Sequence, residues 1–152
     1  MAVKKMAIIA TKGALDMAYP PLILASTAAA LGWEVQIFFT FYGLQLLRKD
    51  LSGIAISPIG NPAMPMPVVV SMLPGMEAMA TSMMKAKMKK KGVASLTELR
   101  DLCQEAEVKF IACQMTVDLF DFEKSEFIDG IEYGGAATFM KFAGETDVCL
   151  FI

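Results

Sequence analysis

The chain has 152 residues, 55% of them hydrophobic, a formal net charge of −2, three cysteines and no histidine. Without histidine there is no Ser-His-Asp or Cys-His machinery within one chain, and the commonest metal ligand is missing. A near-neutral chain has no global field to recruit nucleic acid. The length fits one domain, read here as residues 1–152. The mean hydropathy of +0.50 leaves apolar surface to cover a sheet on both faces, an oligomer interface or a membrane contact.

In chain order, residues 1–6 carry lysines but no signal-peptide pattern. Residues 6–10 are a continuous apolar run closed by Thr11-Lys12-Gly13, hence a buried strand. Asp16 follows, then an Ala- and Leu-rich helix over 18–31 stopped by Gly32, with Pro20 and Pro21 placed in its first turn. Residues 34–39 form the second strand, 40–43 a turn and 44–49 a short helix. Strand, helix, strand makes a βαβ unit with parallel strands. Thr11, Gly13, Asp16, Thr40, Tyr42 and Gly43 then share one edge of the sheet. Thr11-Lys12-Gly13 is no dinucleotide or phosphate-loop fingerprint, and an ordinary tight turn is the simpler reading.

Residues 50–75 read as an irregular insert. Residues 54–76 carry no charge, yet Pro58, Pro62, Pro65, Pro67 and Pro74 interrupt them, which argues against a spanning helix. More than half of the 13 methionines lie between Met64 and Met88. Residues 75–91 are expected to form an amphipathic helix with Met76, Met79 and Met83 on one stripe and Lys85, Lys87, Lys89, Lys90 and Lys91 at its end. That stripe faces the core or an oligomer partner. Peripheral contact with a membrane or an acidic partner is the other reading.

A clear helix spans 95–107, with Ser95 and Glu98 as a capping box and Leu96, Leu99, Leu102, Cys103 and Ala106 as its apolar stripe. Cys103 is read as core. Residues 108–112 are a buried strand ending at Cys113, and a helix or turn follows over 114–120. A thiol there sits at the carboxyl end of a strand, where open α/β sheets bind ligands, and beside free backbone N–H groups that favour a thiolate. Cys113 is either a reactive nucleophile or a space-filling core cysteine. A weak strand over 127–133 leads into Gly134-Gly135, which bring a second N–H cluster to the same edge. A helix over 136–143 and a strand over 148–151 complete the chain, with Cys149 read as core.

The cysteine spacing shows neither CxxC nor a zinc pattern, which suits reduced thiols. Cys103 stands about 5–6 Å above the intervening turn and Cys113 about 16 Å, by helix and strand rise. That mismatch exceeds the reach of a disulfide, so no Cys103–Cys113 bond is expected. The fold expected is α/β: a three-layer sandwich with a mostly parallel sheet of about five strands and helices on both faces.

Five segments, taken in order, carry a family resemblance: Gly13-Ala14-Leu15-Asp16, Phe38-Phe39-Thr40-Phe41-Tyr42-Gly43-Leu44, Met72-Leu73-Pro74-Gly75-Met76, Phe110-Ile111-Ala112-Cys113-Gln114-Met115 and Tyr133-Gly134-Gly135-Ala136. The chain resembles the DsrE/DsrF-like family, in its larger type-two branch with a Pro- and Met-rich insert. The resemblance implies a homo- or hetero-oligomer in cytoplasmic sulfur trafficking. It implies that sulfane sulfur is carried as a persulfide on Cys113 and exchanged with a TusA-like carrier or a rhodanese. Such chemistry needs no metal and no other cofactor. Thr11, Gly13, Asp16, Thr40, Tyr42, Gly43, Gln114, Met115, Gly134 and Gly135 would surround the sulfur. Two other classes stay open: a thiol-dependent oxidoreductase, which needs a resolving thiol, and a non-catalytic module that binds through its Met-rich segment.

Overall fold

The computed structural model describes residues 2–59, 61–64 and 66–152. Five strands form one parallel sheet: β1 (Lys5–Ala10), β2 (Glu34–Phe39), β3 (Lys109–Cys113), β4 (Glu132–Gly134) and β5 (Val148–Phe151), in the order β4-β3-β2-β1-β5. The central strands are apolar on both sides because both sides are covered. Alternation along β3 divides the core in two. Phe110 and Ala112 join the large cluster on one face, while Ile111 and Cys113 join a smaller one on the other.

The large cluster lies under α1 (Leu15–Ala30) and α4 (Leu96–Glu105). Helix α1 starts earlier than the sequence suggests, so Pro20 and Pro21 fall inside it rather than in its first turn. Burial of Leu15, Ala18, Tyr19, Leu22, Ala25 and Ala28 on its inner side outweighs the backbone hydrogen bonds that two prolines forfeit. Helix α4 has the expected capping box, Ser95 with Glu98. Its buried side runs through Leu96, Leu99, Arg100 and Cys103, whereas Leu102 and Ala106 are exposed. Arg100 turns inward because its Nη1 donates to the carbonyls of Leu46 (2.8 Å) and Arg48 (2.6 Å).

The insert is partly built into this layer. Leu51, Ile54 and Ile56 are buried, and Thr81 Oγ1 accepts the Ile56 N–H at 3.0 Å. A short helix, α2 (Val68–Ser71), precedes α3 (Met76–Lys90). The inward side of α3 carries Ala80, Thr81, Met84 and Met88. Met79 and Met83, expected on the packing stripe, are exposed, as are Val68, Val69, Met72 and Leu73. Among the described residues no helix is long and apolar enough to cross a membrane.

The opposite face is covered by α6 (Ala136–Ala143), whose Phe139 stacks on Phe38 at 5.0 Å. With Phe142 it shields Ala7, Ile111 and Cys113. Edge strand β5 has little cover on this side. Cys149, expected in the core, is exposed, and Phe151 retains 75% of its surface. The 3-10 helix Phe41–Leu47 replaces the expected turn and short helix after β2.

Candidate functional site

Cys113 is the last residue of β3 and directly precedes α5 (Gln114–Leu119). Its side chain is 5% exposed. Burial pushes the thiol pKa up. Hydrogen bonding from the Thr116 side, with smaller contributions from Thr40 and Met115, outweighs it and brings the thiol below its ordinary value. Among the described residues hydrogen bonding, rather than a neighbouring cation, offsets the burial.

Those residues come from two distant loops. Thr116 is fully buried, and its Oγ1 lies 3.2 Å from Thr40 Oγ1. It also accepts the N–H of Phe41 at 3.2 Å. Phe41 adopts a left-handed φ of 49°, unusual for a residue with a Cβ. Its N–H bond to Thr116 and an edge contact between its ring and Phe120 (6.3 Å) hold it there. Thr40 is tied to β1 through its own N–H, which donates to the Ala10 carbonyl at 3.1 Å.

Gly43 makes that tie possible. A Cβ on Gly43 would lie 2.1 Å from the Ala10 carbonyl oxygen, and one on Gly13 would lie 2.7 Å from the Tyr42 carbonyl oxygen. Both glycines are therefore needed where two loops pass at backbone contact. Gly134 sits beside Cys113 in the sheet register, and Gly135 precedes α6.

The remaining expected residues divide clearly. Thr40 and Met115 both help to lower the Cys113 thiol pKa. Tyr42 is exposed and stacks on Phe120 at 5.6 Å. With the exposed Phe41, Met115 and Leu119 it forms an apolar rim on the two loops that carry the sulfur's donors. Thr11 instead donates its hydroxyl to the Ile152 carbonyl at 3.0 Å, and Gln114 donates its amide to Asp118 at 2.8 Å. Asp16 is exposed in the first turn of α1. A shallow groove of about 370 Å³ runs past Lys12, Gly13, Ala14, Met17, Tyr42 and Gln45. A larger cavity of about 580 Å³ opens among Leu15, Tyr19, Lys49, Lys85, Leu96 and Glu98, and none of the sulfur's partners lines it.

Sequence reasoning missed the Thr116 side chain. The available signal was a β-branched hydroxyl residue three places after a strand-ending cysteine, a poor choice for helix propensity alone. The other thiols sit differently. Cys103 is fully buried on the other face of the sheet, donates to the Leu22 carbonyl at 3.3 Å, and is pushed by burial to a pKa of about 12. All three cysteines are free. Among the described residues no cluster of three His, Cys, Asp or Glu could hold a metal ion.

Comparison with known proteins agrees with this architecture. The chain is 68% identical to a protein named sulfur carrier protein DsrE2 from Allochromatium vinosum, covering 98% of each chain. It is 36% identical to the uncharacterised protein YrkE of Bacillus subtilis, over 98% of this chain and 97% of that one. Among solved structures, the YchN protein of E. coli matches with a TM-score of 0.57 at 12% identity, over 99% of this chain and all of that one. A Methanobacterium thermoautotrophicum protein of unknown function matches with a TM-score of 0.56 at 10% identity, over 97% and 98% of the two chains. These two share the fold. The family model described as DsrE/DsrF/DrsH-like covers residues 2–151, and the chain belongs to that family.

Proposed function

We propose that the protein is a cytoplasmic sulfur carrier that holds sulfane sulfur as a persulfide on Cys113 and passes it to a partner protein. The observation that carries this reading is the buried thiol at the end of β3, directly before α5, with hydrogen bonding holding it below the ordinary thiol pKa. The name of the 68% identical relative supports it independently.

Loading is a thiol–disulfide-like exchange. The Cys113 thiolate attacks the outer sulfur of a donor R–S–SH. A new S–S bond forms at Sγ while the donor S–S bond breaks, its electron pair leaving as RS⁻. The proton stays on the transferred sulfur, and no net oxidation occurs. Unloading is the same step with the partner's thiolate as attacker. Burial keeps water off the sulfur, and the nearby donors hold its charge.

The apolar rim of Phe41, Tyr42, Met115 and Leu119 suits docking of a protein partner such as a TusA-like carrier or a rhodanese. The exposed Phe151 and Met140 suit self-association into a homo-oligomer. The apolar surface of Val68, Val69, Met72 and Leu73, followed by the lysine-rich end of α3, suits contact with an acidic surface, membrane or protein. Residues 1–152 act as one domain in this scheme.

Intact mass after incubation with thiosulfate, polysulfide or rhodanese plus thiosulfate tests the proposal. A gain of one sulfur atom, mapped to Cys113, removed by dithiothreitol and absent from Cys113→Ser, is expected. No uptake, with Cys113 inert to alkylation in the folded protein, would leave a structural cysteine. A reducible bridge to a second thiol would instead mark a disulfide oxidoreductase. Cys103 lies across the sheet and Cys149 is three strands away on β5, so such a thiol would have to come from another chain.

A further inference from the structure

The larger cavity takes no part in the sulfur chemistry. It measures about 580 Å³, within the range of about 300–1,000 Å³ usual for small-molecule sites. Its floor is formed by the buried side chains of Leu15, Tyr19, Leu51 and Leu96. The only polar side-chain atom among them is the Tyr19 hydroxyl, which already donates to the Ala94 carbonyl at 3.0 Å. Such a floor suits an aliphatic body and gives a sugar or a base no free side-chain partner.

The mouth is charged, and its charges do not balance. Lys49, Lys85 and Lys89 line it, together with Asp50 and Glu98. Both carboxylates are used locally: Asp50 accepts the Ser52 N–H at 2.9 Å and Glu98 accepts the Ser95 N–H at 2.8 Å. Among the described residues none of the three lysines forms a salt bridge. Lys85 donates instead to the Ser52 carbonyl at 3.4 Å. Lys85 and Lys89 stand one turn apart on α3, so two like charges share a helix face and repel. A fourth cation is buried nearby. Arg100 follows Leu96 by one turn on the buried side of α4, is 2% exposed, and has no hydrogen-bond partner for its Nε and no salt bridge among the described residues. A buried cation without a counter-ion is costly. The capping box already occupies the start of α4, so the pull on an anion comes from these side chains and not from the helix end.

We propose that this cavity binds an amphipathic anion, an acidic head on an aliphatic chain. The chain lies on Leu15, Tyr19, Leu51 and Leu96, and the head sits among Lys49, Lys85 and Lys89. Thr40, Met115 and Thr116 are not in its lining, so the inference stands or falls apart from the carrier reading.

Equilibrium dialysis of the intact protein with radiolabelled octanoate, below its micellar range, tests the proposal. Octanoate should bind about tenfold or more tightly than butanoate, since each methylene that is fully buried is worth about fourfold. Octan-1-ol has the chain without the charge and should compete about tenfold less well than unlabelled octanoate. Lys85→Gln with Lys89→Gln should weaken octanoate by about fivefold. Lys87→Gln with Lys91→Gln removes the same charge from the same end of α3 outside the cavity and should change it by less than about twofold. All four lysines are exposed, so folding is not at stake.

Anionic vesicles separate a lipid from a free acid. Retention that octanoate displaces and that the Lys85/Lys89 substitutions abolish would place a lipid chain in the cavity, whereas octanoate binding without retention would make the ligand a free acid. No binding of octanoate at millimolar concentration would overturn the proposal. So would equal affinity for octanoate and octan-1-ol, indifference to chain length, or equal losses from the two lysine pairs, because each describes a non-specific surface instead of this cavity.

Discussion

Replacing Gly43 with alanine should damage both the fold and the site, and the structure sets the size of the effect. The new Cβ would stand 2.1 Å from the Ala10 carbonyl oxygen, 2.8 Å from its carbon and 3.3 Å from the Thr11 nitrogen. All three are backbone atoms at the end of a central strand, so no side chain can swing away. The 3-10 helix must move out by about 1 Å to restore an ordinary contact. Such overpacking costs about 1–3 kcal/mol. The same movement pulls on the Thr40 N–H bond to Ala10, adding roughly 1 kcal/mol if it breaks. A loss of about 2–4 kcal/mol is expected, or roughly 5–15 °C in Tm for a domain of this size.

Urea and thermal denaturation, with Gly53→Ala as control, measure this loss. Gly53 has nothing within 4 Å of an added Cβ, so the control should change by less than about 0.5 kcal/mol. Since Thr40 moves with the loop, Gly43→Ala should also slow alkylation of Cys113 in the folded protein. Equal stability of the two variants, or an unchanged alkylation rate, would refute the claim that this contact holds the donors on the sulfur.

Two further outcomes follow from other parts of the molecule. Native Cys103 ionises near 12 and an ordinary thiol near 9.0. Between those values the unfolded chain has released a proton that the native state keeps, so stability must fall as pH rises. The loss reaches about 2 kcal/mol from pH 9 to 10.5. It should vanish in Cys103→Val, and parallel urea-midpoint slopes for the two proteins would contradict it. If the lysine-rich end of α3 meets an acidic surface, the protein should sediment with anionic vesicles at low salt and release at high salt. Retention that is indifferent to salt, or no retention at either, counts against that contact.

Much of the fold was legible because its causes are local. Continuous apolar runs marked β1, β2, β3 and β5, and the α6 span coincided with its helical pattern. Ser95 and Glu98 declared the start of α4 because a capping box needs only four consecutive residues. Where local rules failed, a tertiary contact had overridden them. Pro20 and Pro21 sit inside α1 because its inner side is buried against the sheet. Arg100 turns inward to two carbonyls from another loop. The Met76–Met79–Met83 spacing was a true helical period, but the insert packs against the neighbouring stripe, through Ala80, Thr81 and Met84.

The site divides the same way. Sequence alone placed Cys113 at the end of a buried strand, because hydrophobic period and turn position are properties of adjacent residues. It grouped Thr40 and the glycines on the same edge, because parallel strands joined by crossovers must end together. It did not show that Thr11 and Gln114 bond elsewhere, that Cys149 faces outward on an edge strand, or that Thr116 completes the sulfur's surroundings. Those depend on angstrom-scale packing between segments far apart in the chain. The β2 and β3 loops meet only after the sheet has formed and Gly43 has let one backbone close on another. The position of the thiol is a local property of the chain, and its chemical surroundings are a property of the assembled sheet.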